Sequence, residues 1–313
     1  MSITKKAALK AIAAQARKRV GLSYDSKAIL SNVEAESYLK SSEPSYVRFA
    51  DFYLNHLTRR GGHPDYDHLA LPELAGKTEE GTITTLFMDL KNFTKYCCFL
   101  SPQAVYQAKA ASIETAVGVC RIYGGYLHEI PGDGVMFFFG GRNKDDIDYA
   151  KKAINAAADT MDTLEKEVMV EYNSNEQFPN IHPKIGVDYG NATWGAYGAQ
   201  PVFEVKATSF NVDIAHKMMN ERLSQEVAVG DDIKNLLKID EEKYLTDGWC
   251  YERQLTVEGE KKQICYDTHV FDWQQWLLDK SDENEDLSLI GTLRSPAIIT
   301  KSATRLSSST PLA

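Results

Sequence analysis

Between residues 82 and 190 the apolar positions switch repeatedly between a β period and a helical one. Thr82 to Asp89 is β-rich and apolar towards its end (Ile83, Leu86, Phe87, Met88), the pattern of a buried strand. Ser101-Pro102 then offers a helix start, with a hydroxyl that can cap and a proline in the first turn. Val105, Ile113, Val117 and Cys120 carry that helix to Tyr123, and Gly124-Gly125 stops it. Tyr126 to Ile130 and Val135 to Phe139 are short strands joined by Pro131-Gly132-Asp133-Gly134, a hairpin turn. Asp145 to Val168 sets Ala150, Ile154, Ala157, Met161 and Leu164 on one helical face, and Lys184 to Tyr189 is a fourth strand. The order β-α-β-β-α-β predicts an α+β fold with a ferredoxin-like split βαβ core.

Ahead of this core, Ala7 to Arg19 is rich in helix formers. Glu43 to Arg60 mixes apolar and polar residues at helical spacing until Gly61-Gly62-His63-Pro64 breaks it. Beyond the core, Asn211 to Leu223 predicts a helix, Val227 to Val229 a strand and Asp232 to Leu237 a short helix. Tyr251 to Val257 and Gln263 to Phe271 read as a closing hairpin. From about Asp279 an acidic cluster gives way to Ser and Thr with few aromatics, a composition that cannot offset its ordering entropy. The implied organisation is a helical N-terminal region (1–80), a main domain (81–275) and a flexible tail (276–313).

The chain has 313 residues, 43% hydrophobic and 25% charged, enough material for a sizeable core. Its formal net charge of −9 makes it a poor duplex nucleic-acid binder, which needs many cations against phosphates. A nucleotide-sized ligand stays open, because a local site can oppose the global charge. Cys97, Cys98, Cys120, Cys250 and Cys265 are odd in number and lack Cys-x-x-Cys spacing. That argues against a disulfide framework or structural zinc, and for a reduced, cytoplasmic compartment. No window approaches the ~18 apolar residues of a membrane span. The basic N-terminus (Lys5, Lys6, Lys10, Arg17, Lys18, Arg19) is no secretory signal; it reads as a solvated Ala-rich helix, with contact to an anionic surface as the alternative.

Candidate chemistry gathers at two aspartates. The middle strands of a split βαβ sheet are the first and third, so Asp89, ending the first, lies beside the turn that carries Asp133. Singly each has an ordinary reading: Gly-Asp-Gly is common turn chemistry, and Asp89 is a strand end. Together they are like charges that repel unless something offsets them. Divalent cations are the simplest reason. Oxygen-only ligands favour Mg²⁺ or Mn²⁺, and two such ions roughly 3.5–4 Å apart suit in-line attack at phosphorus. Leu90-Lys91-Asn92-Phe93-Thr94 follows, leading from strand towards helix, where free N–H groups can hold phosphate oxygens.

Phe87-Met88-Asp89-Leu90-Lys91-Asn92-Phe93-Thr94 resembles the Phe-x-Asp-Ile-x-x-Phe-Thr segment of class III nucleotide cyclases. Gly125 to Gly140, GYLHEIPGDGVMFFFG, resembles that family's second segment, and Ile185 to Gly190 with Gly195 and Gly198 resembles the third. The resemblance covers about residues 82–270. It implies attack of a ribose 3′-hydroxyl on the α-phosphorus of the same nucleoside triphosphate, with release of pyrophosphate. It implies a homodimer with each site built across the interface. Asp89 and Asp133 would hold both metals with the Leu90 carbonyl, and backbone groups of Asn92, Phe93 and Thr94 would hold the β- and γ-phosphates. The family's ribose Asn and transition-state Arg, four residues apart, fall at Asp213 and Lys217. Lys217 keeps the charge but loses the bidentate fork, and Asp213 keeps an acceptor but loses a donor. A shifted register would use Asn211 and set Ala215 at the Arg position, so the first is preferred. Lys261 or Lys262 is the nearest match to the phosphate lysine of the last hairpin.

The family's two base-reading positions fall at Glu129 and Lys206. Adenylate cyclases of the usual pattern carry Lys at the first, so ATP is disfavoured; guanylate cyclases carry Glu. An acceptor beside a donor suits guanine, uracil and cytosine alike, and a long Lys in the pocket favours the smaller pyrimidine ring. The layout, with a short helical preface and altered ribose and Arg positions, resembles the pyrimidine cyclases of Pycsar anti-phage defence. Cyclic UMP from UTP is therefore the first expectation, cyclic CMP from CTP the second, each activating a separate effector protein. A guanylate cyclase is the nearest alternative. A binding module without turnover is motivated by Asp213 and Lys217, although a pure binder has little need of the aspartate pair. A diguanylate cyclase shares the core but would need a Gly-Gly-Asp/Glu-Glu-Phe turn, which Pro131 to Gly134 is not.

Overall fold

The computed structural model describes residues 5–21, 78–91, 93–141, 145–170, 181–199, 202–221, 226–257 and 259–282. Helix α1 (Lys5–Gly21) precedes the split βαβ core. That core is β1 (Thr78–Lys91), α2 (Phe93–Phe99), α3 (Pro102–Ile122), β2 (Tyr126–Glu129), β3 (Val135–Gly140), α4 (Asp146–Thr163) and β4 (His182–Ala199). Then follow β5 (Val202–Thr208), α5 (Phe210–Glu221), β6 (Val227–Gly230), α6 (Asp231–Leu237), α7 (Glu241–Tyr244), β7 (Leu245–Val257), β8 (Glu260–Phe271) and α8 (Trp273–Asp282). The eight strands form one sheet in the order β2-β3-β1-β4-β6-β8-β7, with β5 paired to β4. β1 is antiparallel to both neighbours, so β4-β1-β3-β2 is the split βαβ arrangement the sequence predicts.

Strand alternation builds two apolar layers. Leu86, Met88, Phe137, Phe139, Ile185 and Val187 share a core with α3 and α4, while Phe87, Met136, Phe138 and Trp194 pack with α5. Burying each such side chain stabilises the fold by about 1.5–3 kcal/mol. The predicted cap forms, with Ser101 Oγ accepting from the Ala104 N–H at 3.2 Å, and the Asp145 side chain also accepts from the N–H groups of Ile147 and Asp148 at the start of α4. Gly186 lets α5 lie directly on β4, since a Cβ there would stand 2.0 Å from the Ala215 carbonyl oxygen.

Several expectations change. The fourth strand runs to Ala199 rather than Tyr189, because Gly190, Gly195 and Gly198, which weaken a lone strand, lie on a strand paired with β1 and then β5. β5 itself carried no strand signal clear enough to predict. Helix α1 is docked rather than solvated: Ile12, Ala13 and Ala16 are buried, and Ile12 Cδ1 sits where a Cβ on Gly118 of α3 would stand only 2.8 Å away. Lys5 and Arg17 pair with Asp159 and Glu167 at 2.7 and 2.6 Å. The cysteine count also misled, for Cys250 and Cys265 form a disulfide across β7 and β8 (Cα–Cα 5.5 Å), joining diagonal neighbours, since Cys250 faces Asp267 and Cys265 faces Glu252. Residues 276–282, read as tail, complete α8, where Trp276 packs against Tyr244 and Phe271. The predicted helix at Glu43 to Arg60 and the rest of the tail lie outside the described residues. Among the described residues no helix is long and apolar enough to cross a membrane.

Candidate active site

Asp89 closes the buried run of β1, and Asp133 sits in the turn between β2 and β3. The register aligns Met88 with Val135, so the turn folds against the end of β1. Gly134 permits the approach: a Cβ there would lie 2.5 Å from the Met88 carbonyl oxygen and 3.5 Å from the Asp89 Cβ. The two carboxyls share a hydrogen bond, and burial, then the Asp89 charge, pushes Asp133 up to about 6. Lys184, opposite Asp89 in β4, brings its Nζ within 3.0 Å of Asp89 Oδ2 and 2.6 Å of Asn220 Oδ1. The sequence reading missed Lys184. Its signal was a lysine opening an otherwise apolar strand, meaningful only once the β1–β4 register is known.

The remaining phosphate-side candidates follow directly. Leu90 is buried in β1, Phe93 is half-buried and Thr94 exposed at the start of α2, and Asn92 lies outside the described residues. On α5, Asp213 and Lys217 are one turn apart on the outer face and paired with each other. Lys217 Nζ also stands 5.8 Å from the centre of the Tyr251 ring. Asn211 does not share that face: it is buried, donating to Asp188 at 3.1 Å and Asp232 at 2.7 Å. The shifted register would therefore need a side chain already held inside the fold. Lys261 and Lys262 face Thr256 and Leu255 across β7 and β8 and are exposed near the hairpin end.

Glu129 and Lys206 meet although 77 residues separate them, with Lys206 Nζ 2.5 Å from Glu129 Oε2. β5 returns along β4 with Lys206 opposite Gly195, which carries it over to the end of β2. Phe138 packs with His128 (ring centroids 4.5 Å) and Trp194 (6.1 Å) in the same layer. The pair offers one carboxylate and one ammonium side by side.

The donor set fits hard divalent cations. Asp89, Asp133 and the Leu90 carbonyl provide oxygen only, and two carboxyls brought together repel unless a cation offsets them. The other grouping with metal-ligand spacing among the described residues, Cys250, Cys265 and Asp267 on the β7–β8 hairpin, has no thiolate to offer because its two cysteines form the disulfide.

The family model "Adenylate and Guanylate cyclase catalytic domain" matches residues 76–269. A cytidylate cyclase of Escherichia coli is 34% identical over 195 residues, 60% of this chain and 41% of that protein. A cytidylate cyclase of Staphylococcus aureus is 28% identical over 227 residues, 69% of this chain and 52% of its own. The chain thus spans about half the length of the curated relatives it matches. Two solved structures share the fold at 18% identity and TM-score 0.50, each over 62% of this chain. They are the adenylyl cyclase CyaB from P. aeruginosa (95% of that chain) and the guanylyl cyclase Cya2 (92%). The family match covers more than half of the chain, which therefore belongs to the adenylate and guanylate cyclase catalytic domain family; the curated relatives above are named cytidylate cyclases.

Proposed function

We propose that this chain converts a pyrimidine nucleoside triphosphate to its 3′,5′-cyclic monophosphate and pyrophosphate. The observation that carries the reading is the Lys206–Glu129 ion pair, taken with the convergence of Asp89 and Asp133. Cytosine offers an amino donor for Glu129 next to a ring acceptor for Lys206, and uracil offers an N–H next to a carbonyl. The sequence put UTP first; the relatives named cytidylate cyclase favour CTP, which we take as the preferred substrate with UTP second.

Asp89, Asp133 and the Leu90 carbonyl would hold two Mg²⁺ or Mn²⁺ ions. Such ions supply Lewis-acid polarisation of the phosphates when bound. Lys184 would hold Asp89 in place by its 3.0 Å contact. Main-chain groups of Asn92, Phe93 and Thr94 hold the β- and γ-phosphates. In a homodimer, Asp213 of one copy accepts from the ribose and Lys217 offsets charge developing at the α-phosphate. Residues 81–275 would be the catalytic domain, and the product would act on a separate effector in antiviral defence.

The test is incubation of the purified chain with Mn²⁺ and ATP, GTP, CTP and UTP in turn, with products identified by mass spectrometry. Cyclic CMP supports the reading as stated and cyclic UMP moves it to the second substrate. Cyclic GMP, or no cyclic product, overturns it. For the defence role, a chain whose activity is unaffected by lysates of phage-infected cells would count against an infection signal.

A further inference from the structure

The cations near the two aspartates differ in how firmly they are engaged. Lys184 is held by Asp89 and Asn220, with its side chain 13% exposed. Lys109, on α3, has its Nζ 5.9 Å from the centre of the ring of Phe93, which stands four residues after Asp89 in the sequence. That distance is at the outer limit of a cation–π contact, worth only about 0.5–1 kcal/mol at an exposed site. Its flexible four-carbon stem carries three rotatable donors. Its charge also bears on the Asp133 carboxyl.

We propose that Lys109 is a triphosphate-binding residue, its ammonium leaving the Phe93 ring to receive the terminal phosphates of a nucleotide held at Asp89 and Asp133 of the same subunit. The proposal deepens the cyclase reading and rests on it for the nucleotide's identity. Charge balance supports it. Two aspartates and the two lysines, Lys184 and Lys109, cancel; two divalent cations and a triphosphate of about −4 also cancel, so loading leaves the site neutral. The exchange trades a weak ring contact for a charge-assisted hydrogen bond. Lys261 and Lys262, by contrast, are exposed near the end of the β7–β8 hairpin and belong to no carboxylate cluster among the described residues.

The experiment measures Mn²⁺-tripolyphosphate binding to the full chain by calorimetry, with steady-state cyclisation in parallel, for wild type, Lys109→Met and Lys109→Arg. A lost charge-assisted contact predicts roughly tenfold weaker tripolyphosphate binding in Lys109→Met and a KM raised by a similar factor, with kcat changed less. Lys109→Arg keeps most of the binding. Lys109→Gln repeats the measurement if the Met variant melts early. Equal binding by wild type and Lys109→Met, or no binding by wild type, overturns the proposal. A wild type that binds tripolyphosphate through Lys109 yet forms no cyclic product supports the lysine's role and sinks the cyclase reading instead.

Discussion

Lys206 Nζ stands 2.5 Å from Glu129 Oε2, joining β5 to the end of β2. Both side chains are partly exposed, at 27% and 41%, and such pairs contribute at most about 1 kcal/mol to stability. The role proposed for them is base recognition. Each charged hydrogen bond to a base contributes about 1.5–3 kcal/mol, so Glu129→Ala and Lys206→Ala each lower kcat/KM for the preferred pyrimidine roughly 10–100-fold. Melting temperature should scarcely move. Competition among the four nucleotides reads the outcome, and unchanged selectivity in both variants would remove the pair from base reading.

Asp89→Asn and Asp133→Asn test the other half of the site. Loss of a charged oxygen donor should cut turnover by at least about a hundredfold. Stability should move differently. Because burial and Asp89 raise Asp133 above its ordinary range, its folded form resists ionisation, and that penalty grows as pH rises through about 6. Asp133→Asn therefore melts no lower than wild type at neutral pH without metal. A large drop in melting temperature alongside lost activity would recast Asp133 as a structural turn residue.

The turn geometry gives a third prediction. Gly134→Ala puts a Cβ 2.5 Å from the Met88 carbonyl oxygen, so turn and strand must part. Backbone cannot yield as a flexible side chain can, and the separation falls on the Asp89–Asp133 contact. Turnover should drop at least tenfold while cooperative unfolding survives, since small shifts of reacting groups cost heavily. Mn²⁺ titration would register weaker metal binding; full activity would mean the approach is not needed.

Much of this architecture was legible before any coordinates. Thr82 to Asp89, the Ser101-Pro102 cap and the Pro131 to Gly134 turn carry strong local signals, and the split βαβ order follows from their sequence. That order was enough to bring Asp89 and Asp133 together. What was hidden depends on register and pairing. Lys184 becomes a site residue only through its position opposite Asp89, and β5 exists because β4 offers it an edge. The docking of α1 hangs on a single small residue, Gly118, facing Ile12 from another helix. Asn211 shows the reverse case: its residue type fitted a ribose ligand, and packing against Asp188 and Asp232 removed it from the surface.

Asp188 makes stability fall as pH rises through the range between its unfolded and folded values. It is fully buried on β4, accepts from Tyr266 Oη at 2.9 Å and Asn211 Nδ2 at 3.1 Å, and lies near the charge of Asp232. Burial dominates and raises it from 3.8 to about 7, against the lowering effect of its hydrogen bonds. Below about pH 4 both folded and unfolded chains carry the proton, and Asp188 adds no pH dependence. Between about pH 4 and 7 the unfolded chain releases its proton while the folded one keeps it, so stability falls as pH rises. Above about 7 the loss is complete and constant, on the order of a few kcal/mol at roughly 1.4 kcal/mol per unit. Asp188→Asn keeps an acceptor for Tyr266 and Asn211 but cannot titrate. Its unfolding free energy, from urea melts between pH 4 and 8, should lack the decline that wild type shows over that window. The difference between the two curves is the readout, because it cancels the opposing trend from acids such as Asp231 and Asp279, which the fold holds below their ordinary range. Parallel curves would mean that Asp188 is ionised throughout, its charge held by Tyr266 and Asn211 despite burial.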